Sequence, residues 1–298
     1  MKKVLTVIAA SFIAFTTTSY AHITNENTIY EDVEYSQAKE QLVALRSINA
    51  IGYESGANVF EPQKKLTKLD LAFHVSTFYA LGGDEEESTL TKEQTAQLAV
   101  DKGYVDSLEG NATYQDVNKA YFDGKIDLKE EKKELTKEEF VFFLTYDLKD
   151  LLTKAHVTEG PTGTVDSVKV AGEEEITFVV DGKSYAFYGH GKVINGPVDL
   201  TQWKGKKIGE SYLKDNALIL VKADEKIAPL PQTEKDKIDA LLVQKTVEKS
   251  TNAVKETKKE EKTTKTDEKE EKGFPIAPVV GVIVVVLLVV FFVGRKKK

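Results

Sequence analysis

Apolar residues form unbroken runs near both ends of the chain. They follow helical spacing through the first half and strand-like alternation after residue 160. The helical pattern predicts helices over Ala38 to Ala50, from Thr67 through Leu81, from Thr91, and from Thr136. Further on, Ile176 to Val180 and Ser184 to Tyr188 flank Asp181-Gly182-Lys183, a hairpin signal, and Ala217 to Val221 is another strand. Glycines recur between these patches, at Gly160, Gly163, Gly172, Gly189, Gly191, Gly196 and Gly205. This pattern predicts an α+β chain: a helical region over 22–158, then a small antiparallel β-barrel-like domain over 159–228.

The end runs carry topology. Phe274 to Val293 is apolar apart from Pro275, Pro278 and Gly281, and leads into Gly294-Arg295-Lys296-Lys297-Lys298. About 20 apolar residues suffice for a helix to cross a bilayer, and flanking cations favour the cytoplasmic side. At the other end, Lys2 and Lys3 precede the apolar stretch Val4 to Phe15, and Ser19-Tyr20-Ala21 has the form of a cleavage site. The expectation is a signal peptide over 1–21, a transmembrane helix over 274–294 and a cytoplasmic basic tail over 295–298. That is a single-pass type I protein of the cell membrane with its N-terminal part outside. Residues 229–273, rich in Thr, Lys and Glu, read as a flexible charged linker, with a short helix indicated by Ile238, Leu241, Leu242 and Val247.

Composition sharpens the setting. The 298 residues include no cysteine, so the exported part has no disulfide, a habit more common on Gram-positive surfaces than in animal receptors. Between residues 22 and 232, 24 cations face 37 anions, a formal charge of −13. Such a surface repels nucleic acid, and no nucleic-acid partner is expected.

Two short patterns recur in one order. Tyr30-Glu31-Asp32-Val33 returns as Tyr114-Gln115-Asp116-Val117, and Leu66-Thr67-Lys68-Leu69-Asp70 as Leu135-Thr136-Lys137-Glu138-Glu139. Leu90-Thr91-Lys92-Glu93-Gln94 opens a further helix. Locally, each Leu-Thr-Lys is a helix start: threonine caps and an acid or amide three residues on completes or approaches a capping box.

The paired recurrence resembles the S-layer homology (SLH) domain of bacterial cell-surface proteins. Its pattern runs from Phe/Tyr-x-Asp-Val through a helix, a Gly-Tyr-x-x-Gly turn and Phe-x-Pro to a Thr-Arg-Ala-Glu-like helix start. Here the first copy continues through Gly52-Tyr53-Glu54-Ser55-Gly56 and Phe60-Glu61-Pro62 to Thr67-Lys68-Leu69-Asp70. The second copy, from Tyr114 to Phe140, is degenerate and short in its middle. The resemblance implies an envelope protein with a structural or interaction role that contacts anionic wall polymer through Asp32, Lys68, Asp116 and Lys137. The chain departs from the family pattern in three ways. It shows no third copy, Lys68 and Lys137 stand where arginine is usual, and Glu34-Tyr35-Ser36-Gln37 stands where a tryptophan often follows. The expected partners are wall polymer or an envelope protein, with the membrane reached through 274–294.

Other chemistry is sparse. His22, the expected mature N-terminus, offers its α-amine and Nδ1 to one copper ion, which makes a metal or small-ligand binding module the competing reading. No second histidine stands at a telling spacing, and an exposed histidine after cleavage is the bland alternative. Asp123-Gly124-Lys125-Ile126-Asp127 mimics half of a calcium loop, but Lys119 and Tyr121 occupy positions where oxygen donors are needed. Leu230-Pro231-Gln232-Thr233-Glu234 falls one glycine short of a sorting signal. Trp203 reads as a barrel core anchor or a ligand-facing aromatic. No catalytic set assembles, so no enzyme activity and no cofactor are expected.

Overall fold

The computed structural model describes residues 23–54, 57–83, 89–171 and 175–243. The signal peptide, His22, the linker beyond residue 243, the apolar run 274–294 and the basic tail lie outside the described residues. No helix among the described residues is long and apolar enough to cross a membrane.

The fold is α+β. Six helices come first: α1 (Lys39–Ser47), α2 (Lys68–Phe78), α3 (Lys92–Asp101), α4 (Tyr114–Phe122), α5 (Lys137–Tyr146) and α6 (Leu148–Lys154). A six-stranded sheet follows: β1 (Thr158–Glu159), β2 (Gly163–Val170), β3 (Ile176–Val180), β4 (Lys183–Ile194), β5 (Lys207–Lys214) and β6 (Ala217–Ala223). A 3₁₀ turn, Leu200–Trp203, joins β4 to β5, and α7 (Gln232–Leu241) closes the described chain.

Threonine starts four of the helices. The hydroxyls of Thr67, Thr91, Thr113 and Thr136 each accept from the backbone N–H three residues on, satisfying a donor that the helix leaves orphaned. Gln94, Asp116 and Glu139 return the bond to the cap and complete capping boxes. Asp70 does not, because its carboxylate is turned towards Lys92. Beyond their caps α2 and α5 are sheathed in other elements: every residue from Asp70 to Thr77 and from Phe140 to Leu144 is buried.

Three of these starts share one junction. The segments before α2, α4 and α5 pair with one another at Thr67↔Asn111, Thr113↔Glu134 and Lys65↔Thr136. The bonds run in one sense round a ring. Lys68 N–H donates to Gly110 O (2.9 Å), Tyr114 N–H to Lys133 O (3.0 Å) and Lys137 N–H to Lys64 O (2.9 Å). Leu66, Ala112 and Leu135 occupy its centre with no solvent exposure. The two Tyr-x-Asp-Val motifs, read as equivalent in sequence, are not. Tyr30 to Val33 is a turn before α1, whereas Tyr114 to Val117 is the first turn of α4 itself.

The sheet is mixed, not antiparallel throughout: β4 and β6 run parallel. Nor is it a closed barrel. It curls from β2 through β3, β4 and β6 to β5, and the seam back to β2 is two residue pairs, Gly163↔Ile208 and Thr164↔Lys207. The hairpin at Asp181-Gly182 turns through positive φ at both residues (46° and 76°), the geometry a two-residue turn between twisted strands requires. Inside the curl, Phe178, Phe187 and Ile208 pack round Trp203, whose indole N–H donates to Pro197 O (2.8 Å). Trp203 is thus a core anchor. Ile194, Tyr212, Ile219 and Leu220 on the other face join the apolar core of the helices. Lys222, with no exposure, reaches Glu40 of α1 at 2.8 Å.

The stretch read as the start of the linker is folded as far as residue 243. Ile227 N–H donates to Glu210 and Ala228 N–H to Glu40. α7 then buries Ile238 and Leu241, and Leu242 bridges Leu128. The short helix indicated in this charged stretch is α7, and its two buried apolar residues, three apart, face one stripe.

Candidate functional site

The helix starts round the junction set Lys137 beside Asp70 of α2 and Lys68 beside Asp116 of α4, in two separate groups. Lys68, Tyr114 and Lys137 are the first residues of α2, α4 and α5. Asp70, Asp116 and Glu139 stand two residues further on, and each first-position side chain leans towards the neighbouring helix. Lys137 Nζ lies 3.9 Å from Asp70 and 3.6 Å from Glu61. Lys68 Nζ lies 4.0 Å from Asp116. In the third place Tyr114 replaces a lysine. Its ring meets Phe143 of α5 edge-on, and burial, with the charge of Glu139 and Glu234, pushes its phenol up.

The densest part surrounds Asp70. Lys92, the first residue of α3, binds Asp70 at 2.8 Å and Glu54 at 2.6 Å, so two ammonium groups converge on one carboxylate. Each has an aromatic face beneath it: Lys92 over Phe73 (5.8 Å) and Lys137 over Phe60 (6.0 Å). Burial pushes the Asp70 carboxyl up, but the Lys92 hydrogen bond and the Lys137 and Lys92 charges outweigh it and hold the group below the ordinary range. One turn on, His74 is buried, stacks on Phe140 and accepts at Nδ1 from Gly52 N–H (3.2 Å). Burial drives its pKa down to about 3 against the pull of Asp70, so the imidazole is neutral.

Asp32 is a brace. Its two oxygens accept from Phe60 N–H (2.8 Å) and Glu61 N–H (2.6 Å), fixing the loop that offers Glu61 to Lys137. Asp116 is committed to its capping box and to Lys68. Of the predicted set, Lys137 reaches the Asp70 cluster, Asp32 supports it through Glu61, and Lys68 and Asp116 form a separate pair. The sequence reading did not pick out Asp70, Lys92, Glu54 or Glu61 as site residues. The Thr-x-x-Asp spacing at 113–116 marked the third helix start, hidden by its likeness to Tyr-x-Asp-Val.

Beside Asp32 opens a cleft of about 350 Å³ walled by Tyr35, Gln63, Glu138 and Glu234. Its polar groups serve one another: Glu138 accepts from Ser36 Oγ (2.6 Å) and Gln63 Nε2 (2.8 Å). Among the described residues no group of three or more His, Cys, Asp or Glu side chains could hold a metal ion. In the segment resembling a calcium loop, Asp123 is paired with Lys125 and Lys154. No protein-family model, no curated protein and no solved structure matches the chain.

Proposed function

We propose that the protein is a membrane-anchored component of a Gram-positive envelope with an interaction role. Its helical region is an SLH-like unit, and its contact with anionic wall polymer is made at Lys92 and Lys137. The ring of three capped helix starts carries this reading, because an SLH unit is built from three repeats about a pseudo-threefold axis and Thr113 supplies the member missing from the sequence pattern. The apolar run 274–293 and the basic tail support the anchor. Lys92 and Lys137 offer two ammonium groups on one edge of the ring, but Asp70, Glu54 and Glu61 already neutralise them. With a formal charge of −13 over residues 22–232, binding to a polyanion is weak and sensitive to salt.

A soluble fragment, 22–246, keeps α7 and is suited to sedimentation with purified wall polymer. Binding should appear at low salt and fade towards physiological ionic strength. Lys92→Arg/Lys137→Arg keeps both charges and adds a fork that grips a carboxylate with two bonds, so it should bind more tightly. No binding at low salt, or no response to the arginine pair, would overturn the assignment of polymer contact to this cluster.

A further inference from the structure

We propose that α7 is a lid that opens as a unit about Pro229–Pro231 while the rest of the fold stays closed. The chain changes character at that point. Upstream, residues 227–228 are fastened on three sides: Ile227 N–H to Glu210 (2.7 Å), Ala228 N–H to Glu40 (2.8 Å) and Gln41 Nε2 to Ala228 O (2.8 Å). Then Pro229 and Pro231, which have no N–H to donate, interrupt the bonding. Downstream, α7 begins on Pro231 without a side-chain cap and buries two side chains, Ile238 and Leu241.

Most of its ion pairs and side-chain bonds are internal: Gln232 with Asp236, Lys237 with Glu234, and Lys235 with Asp239. They hold the helix together without holding it down. Leu230 and Leu242 flank it with partly buried contacts. Among the described residues its polar attachments include Tyr146 Oη to Asp239 (3.3 Å) and a two-bond ladder, Lys129 N–H to Leu241 O (2.7 Å) and Val243 N–H to Asp127 O (2.8 Å). A unit with few buried apolar side chains and an exposed ladder belongs to the low-stability end of a fold. α7 also walls two clefts. Lys235 lines one of about 520 Å³ with Tyr146 and Leu230, and Glu234 lines the one beside Asp32. Opening would join them and bare the apolar seat along α5 and Leu128.

The ladder supplies its own lock. Leu128 and Leu242 face each other as a non-hydrogen-bonded antiparallel pair, whose Cα separation of about 4.5 Å lies within the range a disulfide spans. The chain has no other cysteine. In the full chain, held in detergent micelles, hydrogen exchange should show the amides of Lys129 and Val243 and those of residues 236–241 exchanging together. Their rate should be at least ~10-fold above that of Phe140 to Leu144. Leu128→Cys/Leu242→Cys, with two leucines trimmed from the seat, should when reduced exchange at least as fast as the wild type in α7 and like the wild type in α5. When oxidised, it should slow those amides to the rate of α5. If the α7 amides already exchange at the α5 rate, or if the oxidised and reduced forms exchange alike, there is no lid. A reduced variant that exchanges faster throughout α5 would show that the ladder holds the core and would also overturn the proposal.

Discussion

His74 converts burial into a pH dependence. In the folded chain it stays neutral down to about pH 3, whereas an unfolded chain protonates a histidine near 6.5. Below pH 6.5 the unfolded state therefore binds the extra proton, and stability falls as pH falls, by about 1.4 kcal/mol per pH unit until the folded group titrates. Asp70 adds to the same trend lower down: its folded pKa is depressed, so its contribution is present above the unfolded value and is lost as pH falls through the folded one. Urea unfolding of a soluble 22–246 fragment at pH 7, 6 and 5 should show the slope, and His74→Gln should flatten it. A wild-type profile level from pH 7 to 5 would contradict the neutral imidazole. The apolar company of His74, with Phe73, Val75 and Phe78 on its helix, was visible in the sequence. Asp70, one turn earlier on the same helix, was visible too, but the two lysines were not, because Lys92 and Lys137 arrive from other helices.

At the scale of elements, legibility followed how local the cause was. The hairpin at Asp181-Gly182 and the starts at Thr67, Thr91 and Thr136 are set by a few adjacent residues, and they stand where the sequence placed them. Thr113 carries the same signal, yet its four residues also spell Tyr-x-Asp-Val one position on. Only the pairing of Thr113 with Glu134, and of nearby Asn111 with Thr67, across the ring shows which reading governs. Removing this cap by Thr113→Ala should cost about 1 kcal/mol, as at any well-formed helix start, and Thr67→Ala and Thr136→Ala should cost about the same. Chemical denaturation of the four proteins tests the equivalence. A negligible loss at Thr113 alone would remove it from the set. The parallel pairing of β4 with β6 had no local signature, since it depends on how β5 returns the chain. α7 was indicated by Ile238 and Leu241, while its docking on Leu128 was not.

The whole molecule is bound by contacts that link sheet to helices. Lys222 lies in β6 between two apolar layers and finds its counter-charge on α1, where Glu40 also receives Ala228 N–H. Replacing the lysine alone leaves a carboxylate facing the core, so Lys222→Met should destabilise by about 3 kcal/mol. Glu40→Gln/Lys222→Met should recover much of that loss, because neither charge then stands alone. Urea midpoints of the two single variants and the double variant give the coupling, and simple additivity would show that the pair does not join the two parts.

The junction of α2, α4 and α5 sets the terms on which such a chain can change length. A stack of repeats has end members, and adding or removing one costs a single interface. A ring has none. Lys137 bonds back to Lys64, so the last member completes the seat of the first, and each pairing depends on the other two. Loss of one repeat would leave two open faces and a centre without Leu66, Ala112 or Leu135. A fourth would find no vacancy. The ring therefore tolerates different first-position residues, as Tyr114 beside Lys68 and Lys137 shows, but it fixes the number of its members at three.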